Sequence, residues 1–210
     1  MLRFSLMHPL ILIAALSTLA ACGAKDEDEE DAKGPLEGTW SVTCGTDDAT
    51  VEAPDYDKMT RTFSSNTVAS IYEGFSDAAC ATATFSLRFE STFTIGDAVT
   101  TPTGATSADF TPTKRFVTVS NADFLAAFNG TAEGSTATCG GGFVLNTEKE
   151  LTEALCKNDS IFKFEVVYSI FKIDGAKLYQ GKIGDTGTAT DGSAATKRPT
   201  EFEPRPMTKL

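Results

Sequence analysis

Between Thr84 and Ile95 the chain alternates with a period of two. Phe85, Leu87, Phe89, Phe93 and Ile95 fall on one side; Thr84, Ser86, Arg88, Glu90, Thr92 and Thr94 fall on the other. A helix has a period of 3.6 and cannot present this pattern as one apolar stripe; a strand with one buried face can. Such a strand needs partners for both of its edges. The same two-residue pattern predicts strands at Thr39–Cys44, Lys58–Ser64, Thr67–Phe75, Lys114–Ser120, Ile161–Ile173 and Lys177–Gly184, with a weaker one at Ala98–Thr101. Asp174-Gly175 is a hairpin turn signal between the last two strong strands.

Two stretches read as helix. Asn121–Asn129 has an Asn cap and Leu125/Phe128 spacing. Thr147–Lys157 opens with Thr147-x-x-Glu150, the pattern of a capping box, and continues through Leu151, Ala154 and Leu155. Many antiparallel strands with short turns and little helix predict an all-β domain, either a sandwich or an up-and-down barrel. The 210 residues suit one domain of ordinary size plus an extra segment.

That extra segment is N-terminal. Arg3 is a short positive stretch, and Leu10–Ala21 is apolar or small throughout, as in a secretory signal peptide. Its 12 residues fall well short of the ~20 that a bilayer-spanning helix needs. The ending Leu19-Ala20-Ala21-Cys22 resembles the lipobox of bacterial lipoproteins. The resemblance implies cleavage of residues 1–21 and acylation of Cys22, with palmitate among the expected chains. Several acyl chains at ~0.8 kcal/mol per buried CH₂ anchor a protein stably. Between Lys25 and Lys33 there are six acids in nine residues. Such a run repels itself and serves as a solvated tether, so residues 22–35 read as anchor plus linker. Gly23, where an Asp would resemble an inner-membrane retention signal, points to the outer membrane. Lys25-Asp26-Glu27 is similar to a short signal for surface export. The expected location is the cell envelope, on the periplasmic side of the outer membrane or at the cell surface.

With Cys22 assigned to lipid, Cys44, Cys80, Cys139 and Cys156 remain. An even set in an exported chain implies two disulfides, with three pairings open. Cys44–Cys80 and Cys139–Cys156 are favoured because each closes a local loop. A zinc site is disfavoured, since no Cys-x-x-Cys pair occurs.

Gly38-Thr39-Trp40 opens the first body strand and looks like the Gly-x-Trp signature of lipocalin-like barrels. In order along the chain follow Cys44, Tyr72, Asp77-x-x-Cys80, the amphipathic strand, Asp123, Asn129, Cys139-Gly140, Cys156, Lys177-Leu178-Tyr179-x-Gly181 and Arg198-Pro199. This order resembles the lipocalin-like domain of the APC-down-regulated Wnt-inhibitor family and of similar bacterial lipoproteins. The resemblance implies a lipocalin-like up-and-down barrel of about eight strands with one or two short helices, over residues 36–210. It implies a barrel floor built on Gly38 and Trp40, with Arg198 packed over the Trp, and a slot for an acyl chain or other small apolar ligand. Gly141-Gly142-Phe143 departs from the pattern, because a Trp is expected soon after the third body cysteine. The strand faces nominate Phe85, Phe89, Phe162, Phe164 and Tyr168 as ligand-binding residues. The fifteen Phe are material for such an interior, whether open or filled.

Catalysis is not expected. The single histidine, His8, lies in the signal segment, so the mature chain has no imidazole for a triad, a metal or acid–base work. Asp47-Asp48 and Asp55/Asp57 lie in Gly/Pro/Asp-rich loops and read as solvated surface, not as a glycosidase pair. The segment Asp185–Gly192 lacks the alternating ligands and terminal Glu of a calcium loop. No phosphate-loop or dinucleotide fingerprint occurs, so neither cofactor nor metal is expected. A pI near 4.5 argues against nucleic acid as a partner. The expected partners are the membrane, through the anchor, and a small apolar ligand. The alternative is an envelope interaction protein, an adhesin or assembly accessory, with a filled barrel and a protein partner.

Overall fold

The computed structural model describes residues 34–46, 56–156, 165–184 and 187–210. The strands are β1 (Gly38–Gly45), β2 (Tyr56–Ser64), β3 (Thr67–Phe75), β4 (Ala83–Val99), β5 (Ala105–Val119), β6 (Lys149–Leu151), β7 (Val167–Asp174), β8 (Lys177–Gln180) and β9 (Met207–Lys209). The helices are α1 (Ala122–Phe128) and α2 (Glu153–Cys156). Every pairing is antiparallel. β1 to β5 form a meander; β5 then pairs β7, β7 pairs β8, β8 pairs β9, and β9 returns to β1. This closes an eight-stranded barrel, with β6 as an extra strand. Closure removes the unpaired edges that an open sheet would expose.

The long amphipathic strand is β4, and it takes in the separate weak strand expected at Ala98–Thr101 as far as Val99. β5 also exceeds its expected length. Its first half, Thr106–Phe110, pairs β7, and its second half, Arg115–Val117, pairs β6. Pro112 sits opposite Ser91 at a register shift, where a missing N–H is tolerated. The β7–β8 turn is Gly175-Ala176, one residue later than the sequence signal, with Gly175 at φ +57°.

The helix expected at Thr147–Lys157 does not form as such. Phe116 pairs with Glu150, so the residue meant to close the capping box is drawn into β6 instead. β5 has a free edge once β7 departs, and pairing with it outweighs the local helix signal. Leu151 then buries its side chain, and Thr152 caps the short α2 by accepting from the Leu155 N–H at 3.4 Å. Lys157 lies outside the described residues. The helix at Asn121–Asn129 is α1, with Asn121 Oδ1 accepting from the Asp123 and Phe124 N–H groups.

Two apolar clusters occupy the two ends of the barrel. At the closed end lie Leu36, Trp40, Phe63, Phe93, Leu178 and Met207. The Trp40 indole donates to the Leu36 carbonyl at 2.7 Å, so its one polar atom is satisfied. Phe63 and Phe93 meet edge to face at 5.3 Å. At the other end Val117, Val119, Phe143 and Leu151 pack with Leu87 and with Phe124, Leu125 and Phe128 of α1. Phe143 packs edge to face on Phe128 at 5.4 Å. Asn129 fixes it there through both sides of its amide, 3.0 Å to the Phe143 carbonyl and 2.8 Å from its N–H. Disulfides link Cys44 to Cys80 and Cys139 to Cys156, the favoured pairing. The second stitches α2 to the loop beneath this cluster.

Candidate functional site

Between the two clusters the barrel is not filled. A cavity there has an inner lobe of about 220 Å³ and an outer lobe of about 290 Å³. Both lobes border Arg61, Gln180, Gly181 and Ile183. Strand alternation explains which residues meet there. On β2, Asp57, Met59, Arg61 and Phe63 share one face; on β3, Val68, Ser70 and Tyr72 do. All but Phe63 line the cavity, and Phe63 lies in the closed-end core.

The inner lobe has an apolar side and a polar side. Val68, Phe89, Phe110, Pro112, Val167 and Ile183 supply the first. Arg61, Arg115, Ser70, Ser91, Ser169 and Gln180 supply the second. No carboxylate is among the described residues lining this lobe. The outer lobe is bordered by Asp57, Glu203 and Arg205, with Val42, Met59 and Tyr72. There Arg205 pairs with Asp57 and also donates to the Thr43 carbonyl at 3.4 Å.

Arg61 is half-buried in the wall, with its Nε on the buried side. Burial pushes its guanidinium down from the usual 12.5 to about 10, against a smaller opposing pull from Glu203. It remains a cation at neutral pH. Its Nε is buried with no hydrogen-bond partner among the described residues, and its guanidinium carbon lies 5.7 Å from the Phe110 ring centre. Arg115 is also buried, which lowers its pKa, and lies 5.4 Å from the Phe89 ring centre. Ser169 Oγ donates weakly to the Ile170 carbonyl at 3.5 Å.

The nominated residues divide. Phe89 lines the inner lobe. Phe85 does not border either lobe; its ring covers Gly74, where a Cβ would approach it to 2.6 Å, and stacks on Phe124 at 5.7 Å. Tyr168 lies on the outer side, by the alternation that turns Val167 and Ser169 inward. Gly38 and Trp40 are at the closed end. Gly38 has φ +110°, a backbone conformation that favours glycine. Arg198 does not lie over Trp40. It clamps the outer side of the β5–β7 wall, donating to the Ala108 and Ser169 carbonyls at 3.2 and 2.9 Å, pairing with Asp109 at 2.6 Å and covering the Tyr168 ring at 5.3 Å. The cation over Trp40 is Lys209, 5.1 Å from the ring centre. Cys22, Phe162 and Phe164 lie outside the described residues.

Apolarity along the strands does not mark Arg61 and Arg115. The signal was available: Arg61 shares the face of Met59 and Phe63, and Arg115 shares that of Val117 and Val119. A cation in register with an apolar row points inward in a closed barrel.

Asp191, in the segment considered for calcium, is already saturated. It accepts from the Gly187 N–H, the Ser193 N–H and hydroxyl, and Lys197, and these bonds hold its carboxyl well below the usual range. Among the described residues no three metal-ligating side chains cluster, and no helix is long and apolar enough to cross a membrane. No protein-family model matches the chain, and no curated protein sequence matches it.

Proposed function

We propose that this is a lipid-anchored binding protein of the cell envelope, whose lipocalin-like barrel takes one small amphipathic molecule. The observation that carries the reading is the cavity between two packed ends, with apolar and polar side chains facing the same space. A barrel of eight strands is wide enough for one small ligand, and a concave site with a few convergent polar groups is the usual form of a small-molecule site. The sequence reading of a purely apolar slot is therefore narrowed to an amphipathic one. The role is to hold and release, not to transform, and the lipobox-like Leu19–Cys22 supplies the anchor. The filled-barrel alternative, an adhesin or assembly accessory, has less support, because its interior would be packed from end to end.

Two measurements test the reading. Native mass spectrometry of the chain purified from membranes should show a non-covalent adduct that is lost on unfolding. Cys22→Ser should move the protein from the detergent phase to the aqueous phase on detergent partition. Absence of any adduct, with no small amphiphile bound in titration, would sink the carrier reading; unchanged partition would sink the anchor.

A further inference from the structure

The inner lobe carries more charge than an apolar cargo requires. The cross-strand register is Arg61 on β2 opposite Ser70 on β3, Ser70 opposite Phe89 on β4, and Phe89 opposite Arg115 on β5. The two arginines therefore belong to one cross-strand row of residues, with a serine and a phenylalanine between them, and both line the inner lobe. Ser91 and Ser169 add hydroxyls to the same lobe.

A charge taken out of water is costly unless it is paired. Met or Leu in this row would fill the wall without that cost. For Arg61 the described residues supply only the Phe110 ring and a through-space pull from Glu203, which borders the outer lobe. A ring beneath a guanidinium consumes none of its N–H groups. The chain as a whole carries −11, yet the described charged residues lining this lobe are both cations. The guanidinium fork matches the planar oxygens of a carboxylate or phosphate.

We propose that the Arg61–Arg115 row binds the anionic head of an amphiphile, a carboxylate or a phosphate monoester, while its tail lies against Phe89, Phe110 and Val167. This rests on the reading of the barrel as a carrier and names the ligand class for that cavity. Ser70 and Ser91 donate to the remaining head-group oxygens. An alcohol of the same chain length would meet the apolar side equally well and bring no oxygen anion to the Arg61 guanidinium.

The test is calorimetric titration of the whole chain, cleared of co-purified ligand, with octanoate, octyl phosphate and octanol. At least one anion should bind about ten- to a hundredfold tighter than octanol, the scale of a charge-assisted hydrogen-bond pair. Which anion wins tells carboxylate from phosphate. Arg61→Met and Arg61→Gln should abolish that preference by weakening the anion far more than octanol; Arg115→Met should reduce it independently, should one Arg61 variant not fold. If octanol matches the anions, or the preference survives in the folded Arg61 variants, the anionic head is refuted and the carrier reading stands. If none of the three binds, both are refuted.

Discussion

Replacing Arg61 with Met should make the empty barrel more stable while removing its ligand preference. Burial lowers the Arg61 guanidinium from 12.5 to about 10, net of the attraction from Glu203. At about 1.4 kcal/mol per pKa unit, keeping this charge inside costs roughly 3 kcal/mol. Met has a similar reach, no charge and no donors, and Trp40 and Ser70 flank the position in register. Exchange of buried charge for a well-packed apolar side chain is neutral to stabilising by up to about 4 kcal/mol. The expected gain is about 1–3 kcal/mol, or a rise of roughly 2–10 °C in Tm for a domain of this size. The assay is urea unfolding of the oxidised, ligand-free protein, followed by fluorescence of the single tryptophan, Trp40. The dependence on urea should be unchanged, so that the midpoint alone reports stability. A loss of 1 kcal/mol or more at unchanged slope would refute the reasoning. It would mean that the Arg61 charge is already compensated within the fold and is not held in reserve for a ligand.

Further predictions concern the frame around the cavity. Trp40→Ala should cost about 3–5 kcal/mol, because the ring is buried at the closed end and its removal leaves a hole among Leu36, Phe63 and Met207; thermal unfolding reads this. Loss of the Cys139–Cys156 bridge, which spans 17 residues, should cost about 3 kcal/mol, and loss of Cys44–Cys80, which spans 36, about 4 kcal/mol, each read by urea midpoint of the double Ser variant. Asp191 and Asp77 are held below their usual carboxylate pKa of 3.8, chiefly by hydrogen bonds from Ser193 and from the Ala81 and Thr82 N–H groups. A lowered folded pKa stabilises above the unfolded value and loses that contribution as pH falls through the folded one. Asp191→Asn should therefore differ most from the parent above about pH 4, and the difference should shrink towards pH 2; a constant difference across that window would contradict the assignment.

The strand pattern made most of the barrel legible. β3 has the bounds expected from sequence, its buried Val68 and Ser70 alternating with exposed neighbours, and β4 is marked by its sequence alternation although most of its residues are half-buried on both faces. No sequence period marks β9, since Met207–Lys209 is too short for one to show and pairs only because closure brings β1 and β8 to it. The first half of β5 was hidden by Thr106–Thr113, whose small and polar residues alternate weakly across the Pro112 irregularity. β6 reads as helix in the sequence because a capping pattern is local, whereas the free edge of β5 is a tertiary fact. The site was the least legible part. Apolarity selected Phe85 and Tyr168, which the structure places under α1 and on the outer side, and passed over the two arginines. Arg198 was assigned by resemblance to the floor, yet it clamps the β5–β7 wall while Lys209 covers Trp40. Alternation gives the face a side chain takes, but only the closed topology gathers those faces around one cavity.

The most direct test of an anion-holding barrel is native mass spectrometry of the parent and Arg61→Met proteins, purified side by side from membranes without added ligand. The account predicts an adduct on the parent that is released on unfolding as an anion with an apolar tail, and its loss or at least tenfold depletion in Arg61→Met. The same adduct at the same occupancy on both proteins, or a neutral molecule on the parent, would contradict it.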